Sequence, residues 1–271
     1  MNLIDLTLLG PPLLAGAVVL STHVPLGRQV LARGIIFIDL AIAQLAGLGV
    51  ILVYFMTEQP AGWAVQLSAF VAALGASMGL RWAERHWADV LEALIGVIFV
   101  LAVSAALLIL ANDPHGGERL KDLLAGQLLW VTYDDLWVPI ALSLAILALW
   151  FKGNATDKPT LFYVLFALSV TTSVQLVGVY LVFASLIIPA LATRGHRGLK
   201  AAYGVGLVGY LLGSVGSLLT DLPTGPSVVW SMAIVGVVFG LFFRARRPRP
   251  NSLGAKQGEQ GRARSRPPRK S

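Results

Sequence analysis

The chain alternates long apolar runs with short polar punctuation. The runs fall at residues 7–24, 35–56, 62–80, 92–111, 136–151, 160–176, 179–193, 199–220 and 226–243. About 20 apolar residues in a helix cross the hydrocarbon core of a bilayer, so this pattern predicts a bundle of transmembrane helices. Several runs reach only 15 to 18 residues, which is short for a straight span. Runs 160–176 and 179–193 are separated only by Val177 and Gly178. They read either as two short helices with a tight turn or as one long tilted helix, so the count is eight or nine spans.

Charge at the run ends bears on that choice. Cytoplasmic loops carry an excess of Lys and Arg. Arg28 and Arg33 follow the first run, Arg81 and Arg85 the third, Lys152 and Lys158 the fifth, and Arg194, Arg197 and Lys200 the seventh. These sites fall on alternate loops only if the chain turns at Val177-Gly178. Nine spans then put the N-terminus outside and the C-terminus inside. The opposite loops, TEQP at 57–60 and DLPTG at 221–225, carry acid and no base. The long 112–135 loop carries both signs. Trp63, Trp82, Trp87, Trp130, Trp137 and Trp150 sit near run ends, as interfacial aromatics do.

Two features inside the runs concern packing. Gly206, Gly209, Gly213 and Gly216 share one face of a helix, where small residues let backbones approach. The face suits helix packing or, in a functional reading, a subunit interface or pore. Pro189 lies inside the seventh run and frees a backbone carbonyl that must be satisfied by a neighbour.

Composition agrees with a membrane bundle. The 271 residues are 56% apolar and 13% charged, against about 25% charged in soluble domains. No cysteine is present, which removes disulfides and thiolate metal ligands. The formal charge of +7 is a tail property. Ten of the 21 basic residues and one of the 14 acids lie from Arg244 onward, leaving 11 basic against 13 acidic residues elsewhere. The tail, residues 244–271, is rich in Pro, Gly, Ser and Arg. It is expected to be disordered, cytoplasmic and near anionic lipid rather than nucleic acid. The expected organisation is a transmembrane domain over 1–243 followed by this tail.

Against that background Asp39 stands out. It is the only formal charge in residues 35–55, and a charge at the centre of a span costs at least about 2.5–3.5 kcal/mol on insertion scales. Such a residue is a functional candidate, although it lies near the cytoplasmic end, where it can snorkel or pair with Arg33. Gln44, nearer mid-span, is a second candidate and also a natural interhelical hydrogen-bond partner. Histidine is scarce. The run boundaries put His23 at the inner end of the first span, His86 and His196 in inner loops and His115 in the long outer loop, so none is expected at mid-membrane. Asp113, His115 and Glu118 form an outer polar cluster that suits either a solvated loop or cation attraction. The spans offer no converging nucleophile, acid and base, so an enzyme is not expected.

Five segments together resemble the membrane-permease family of ATP-binding-cassette importers for zinc, manganese and iron. Residues 177–194, VGVYLVFASLIIPALATR, are similar to its VGALLVxALLIIPAATAR run. Residues 122–136, DLLAGQLLWVTYDDL, resemble its DLxxYLFGDLLxVTxEDL segment. LPTGPSVVW at 222–230 resembles TPAGPSVVL, and EALIGVIF at 92–99 resembles an acidic helix start followed by AIGIxF. Residues 39–50 fall where the family carries GDxxxHAxLxGV. The order is collinear from about residue 7 to 243.

The resemblance implies an all-α, polytopic transmembrane bundle with the fold of the vitamin B12 importer class, in a bacterial inner membrane. It implies a homodimer, a cytoplasmic ATP-binding subunit and an extracytoplasmic metal-binding protein. The divalent metal, zinc first, is the substrate. ATP belongs to the partner, and this chain is expected to bind no cofactor. No GxxxxGK[ST] phosphate loop is present.

The chain departs from the family in two places. The residue four after Asp39 is Ala43, whereas matching on AQLAGLGV puts Gln44 at the histidine column. Four residues return to within about 40° of one helix face and five differ by about 140°. Asp39 and Gln44 therefore cannot share one ion on a regular helix. The second departure follows Trp150. The family's Asp-x-x-x-Ala-x-x-x-Gly segment, which sits in a groove of the ATPase, is reduced to a short turn at 152–159. Either the contact is rebuilt from loops 81–91 and 194–200, or the chain is a membrane scaffold that has lost ATP-coupled transport.

Overall fold

The computed structural model describes residues 8–57, 59–111, 113, 116–126, 128–195 and 199–244. The tail beyond Arg244, and with it the expectation of disorder, lies outside the described residues, as do His115, His196 and Arg197. The described chain is helical with no strand. Its helices are α1 (Gly10–Arg33), α2 (Ile38–Met56), α3 (Gly62–His86), α4 (Leu91–Leu110), α5 (Gly116–Ala125), α6 (Trp137–Lys152), α7 (Pro159–Val177), α8 (Val179–Ala192), α9 (Lys200–Thr220) and α10 (Thr224–Arg244).

Seven helices or helix-turn runs among the described residues are long and apolar enough to cross a membrane. The helices α1 and α8 complete a bundle of nine, with α5 as a short outer element. The question at Val177-Gly178 is settled in favour of two helices. Gly178 has φ 81° and ψ 162°, a region open essentially to glycine alone. It ends α7 and starts α8. The 14 residues of α8 give a length of about 21 Å, less than the bilayer core.

Facing Gly178 is Gly126, also at positive φ (68°), in the chain leaving α5. A Cβ on Gly178 would stand 2.7 Å from the carbonyl carbon of Ala125. The long outer loop thus folds back onto the α7–α8 turn. Leu123 of α5 also rests on Gly47 of α2, and the Ala125 carbonyl lies against Gly225 at the start of α10. The sequence pattern left this segment as a mixed-charge loop. Its tertiary role is to pack on the ends of α7, α8 and α10 and on the middle of α2.

The first helix needs a correction. It runs to Arg33 rather than ending near residue 24, despite Pro25 inside it. A proline cannot donate to the carbonyl four residues back, here Ser21. That carbonyl instead accepts the Tyr203 hydroxyl of α9 at 3.0 Å. With its orphan satisfied, α1 continues through the proline. His23 therefore lies at the fourteenth of 24 positions, fully buried, and not at a span end.

Around α1 the packing is backbone-close. A Cβ on Gly27 would meet the Leu186 carbonyl carbon of α8 at 2.9 Å. The α9 glycines serve contacts within the chain: Gly206 rests on Leu20, Gly209 on Met232 and Gly213 on Val228. Gly216 alone of that face has open space beside it. This is the helix-packing reading of the glycine face.

Candidate functional site

Asp39 occupies the first turn of α2 and is 1% exposed; Gln44 is 2% exposed. The N-terminus of a helix leaves backbone N–H groups without intrahelical partners, and it carries partial positive charge. Asp39 is the acidic residue of the first turn at this terminus. The Ile38 N–H donates to the Ile35 carbonyl at 3.2 Å. Glu92, in the first turn of α4, accepts the Phe37 N–H at 3.2 Å. Two carboxylates therefore sit at the start of α2. Each keeps one buried oxygen without a protein partner, Asp39 Oδ1 and Glu92 Oε2.

Arg33 is not the partner of Asp39. It bonds Glu84 of α3 at 3.2 Å, and Glu84 also takes Arg81 at 3.2 Å. The guanidinium of Arg33 lies 4.5 Å above the Phe162 ring. Asp39 thus neither snorkels nor joins that pair. Gln44 leaves Nε2 buried without a partner. On the regular helix α2, Asp39 and Gln44 point to different sides, as their spacing requires. Among the described residues no three His, Asp or Glu side chains gather into a metal-holding group. What the geometry offers is single carboxylate, imidazole and hydroxyl groups spaced along the buried helices.

Two of these groups were missed by reading the sequence. The Glu92 carboxylate was seen only as part of a motif, because its contact with Phe37 spans 55 residues. His23 was assigned to a boundary because the apolar run was ended at residue 24, with Arg28 beyond it. The apolar positions Val24, Leu26 and Val30 beyond it carried the signal that the helix goes on.

At the basic end, the 153–158 turn is packed rather than projecting. Ala155 is fully buried and its N–H bonds the Trp150 carbonyl. Gln29 and Arg33 both donate to the Thr156 carbonyl, at 3.4 and 3.5 Å. Beside it, Trp82, His86 and Trp87 form an exposed aromatic knot, with ring centroids 4.6 and 4.9 Å from Trp82. At the acid end, a cleft of about 520 Å³ opens among Gln66, Asp134, Thr172 and Gln175. Asp135, at its rim, accepts the N–H and hydroxyl of Thr132 at 2.9 and 2.8 Å. His115 of the suggested outer cluster lies outside the described residues.

A bundle of apolar helices long enough to cross a membrane, with buried ionisable groups among the described residues, defines a multi-pass membrane protein. The chain belongs to the ABC 3 transport family, which it matches over residues 6–154 and 158–244. The break in that match falls in the packed turn after α6. The high-affinity zinc uptake system membrane protein ZnuB of Haemophilus influenzae is 26% identical over 263 residues, covering 88% of this chain and 98% of that protein. The manganese transport system membrane protein MntC of Halalkalibacterium halodurans is 23% identical, covering 80% of each. The fold matches PsaBC from Streptococcus pneumoniae, solved in complex with a Fab, with a TM-score of 0.69 at 20% identity over 86% of this chain and 90% of that one. The chain is thus a multi-pass membrane protein of that transport family, with the permease fold the sequence motifs implied.

Proposed function

We propose that the chain is the membrane-spanning permease of an ATP-driven divalent metal importer, with zinc as the first substrate. In this reading two copies form the pathway. A cytoplasmic ATPase supplies the energy, and an extracytoplasmic metal-binding protein delivers the ion. Alternating access moves it inward, and the chain performs no chemistry of its own. The observation that carries the reading is Asp39: a carboxylate, 1% exposed, with one free oxygen at the start of a membrane helix. Burial without a paired cation is costly for a carboxylate, and such residues mark ion pathways. Metal selectivity at this site would be weak, since hard oxygen ligands suit several divalent ions.

The test is metal accumulation in a deletion strain under limitation, complemented with the chain or with Asp39→Asn. Restored zinc, manganese or iron by the native chain, and loss of most of that gain with Asp39→Asn, is expected. Unchanged cellular metal in the deletion strain overturns the reading.

A second reading, a scaffold without ATP-coupled transport, is favoured by one observation. The turn after α6 is short and bound to α1 through the Thr156 carbonyl, and the family match breaks there. Co-purification with an ATPase whose turnover the chain stimulates would remove it. Under the importer reading, that ATPase docks on the exposed Trp82–Trp87 knot at the same end.

A further inference from the structure

His23 is the buried group that neither the sequence motifs nor the fold accounts for. Its Nδ1 lies 2.9 Å from the Val19 carbonyl oxygen. A carbonyl can only accept, so the proton sits on Nδ1. Thr22 Oγ1 stands 3.2 Å from the same nitrogen and accepts the Ser169 hydroxyl of α7 at 2.8 Å. The ring is thereby held in one tautomer and one orientation. Its other nitrogen, Nε2, carries the lone pair. That atom is buried and has no protein partner.

An imidazole that gives its Nδ1 proton to a backbone carbonyl and keeps Nε2 open is oriented as a metal ligand is. A structural histidine gains by using both nitrogens, because an orphaned polar atom away from water costs free energy. The position adds weight: mid-length in α1 and joined through Thr22 and Ser169 to α7, where Thr171 likewise leaves a buried hydroxyl unpartnered.

We propose that His23 Nε2 is a transient ligand for the transported divalent cation, an imidazole supplied from α1 rather than from α2. The inference rests on the metal-permease reading and deepens it. Borderline ions such as zinc accept imidazole readily, and hard ions such as magnesium do not. A histidine on the route therefore biases passage toward zinc-like ions, which Asp39 alone would not do. Thr22 and Ser169 act as positioning residues: they hold the ring, and the cation does not touch them.

The absence of cysteine provides a direct test. The full chain in detergent is prepared as the native form, His23→Ala, His23→Cys and, as a lipid-facing control, Val100→Cys. Zinc binding is measured by competition with a chromogenic chelator, and cadmium binding by thiolate-to-metal absorption. Native protein is expected to bind zinc, and His23→Ala to bind it at least about tenfold more weakly. His23→Cys is expected to show the cadmium band, which Val100→Cys lacks. If His23→Ala binds zinc as tightly as the native chain, or His23→Cys gives no band while eluting as a folded species, the proposal is overturned. Zinc uptake by cells expressing the same variants separates the two readings. Uptake by the native chain that His23→Ala leaves intact overturns the ligand role and leaves the permease reading standing. A cadmium band without uptake by the native chain supports the site and removes the permease reading.

Discussion

The helices α7 and α4 are nearly the same length and both are apolar, yet they live in different surroundings. In α7, 67% of the hydrophobic window is buried inside the chain; in the α4 run the figure is 17%. Ser169, Thr171 and Ser173 all lie buried on α7. The outer face of α4 shows Val97, Val100, Leu101, Leu107 and Leu108. In a bilayer, apolar side chains gain little by leaving lipid for protein, so close backbone packing and hydrogen bonds decide which helices hold together. The α1–α7–α8 seam has both. The α4 rim has a greasy surface and few obligations.

Four substitutions would break or sharpen that contrast. The largest effect is expected for Gly178→Ala. It places a Cβ in a glycine-only region, at about 1–3 kcal/mol of strain, and drives it into the backbone at 125–126. Loss of most monodisperse protein on detergent gel filtration is the expected readout. Next is Tyr203→Phe, which strands the Ser21 carbonyl beside Pro25 and should destabilise by about 1–3 kcal/mol. A lowered thermal midpoint in detergent would report it. Glu84→Gln removes the shared partner of Arg33 and Arg81. Because these side chains are 14–23% exposed, a loss near about 1 kcal/mol is expected, read by the same melt and weaker in high salt. Val100→Ala on the α4 rim should change the midpoint by less than about 0.5 kcal/mol equivalent. A cost as large as that of Tyr203→Phe would mean that this rim is covered in the assembled protein and that the contrast is a property of the single chain only.

The candidate site was partly legible. Asp39 was visible because a carboxylate in an apolar run is conspicuous without any structure. That it would be buried at its own helix start, while Arg33 turned to Glu84, depends on α3 and could not be read from residues 33–39. His23 was misplaced for a related reason. The run was ended at residue 24 with Arg28 beyond it, and the helix instead continues through Pro25 because Tyr203, 178 positions later, satisfies the carbonyl that the proline frees. The glycine face of α9 was visible in the sequence because its spacing is a property of one helix, and the structure places three of its four glycines in contacts within the chain.

By itself, the sequence determined that this is a polytopic helical membrane protein, which segments span, and which family's motifs it carries. Hydrophobic length and charge asymmetry act locally on each segment, so they need no partner to be read. Only the tertiary structure decided where α1 ends, that the chain turns at Gly178, that the 112–135 segment packs back onto the α7–α8 turn and the start of α10, and which buried polar atoms are left open. Those outcomes depend on hydrogen bonds and backbone contacts between residues far apart in the chain, and in a bilayer an unsatisfied polar group is too costly for any local preference to outweigh.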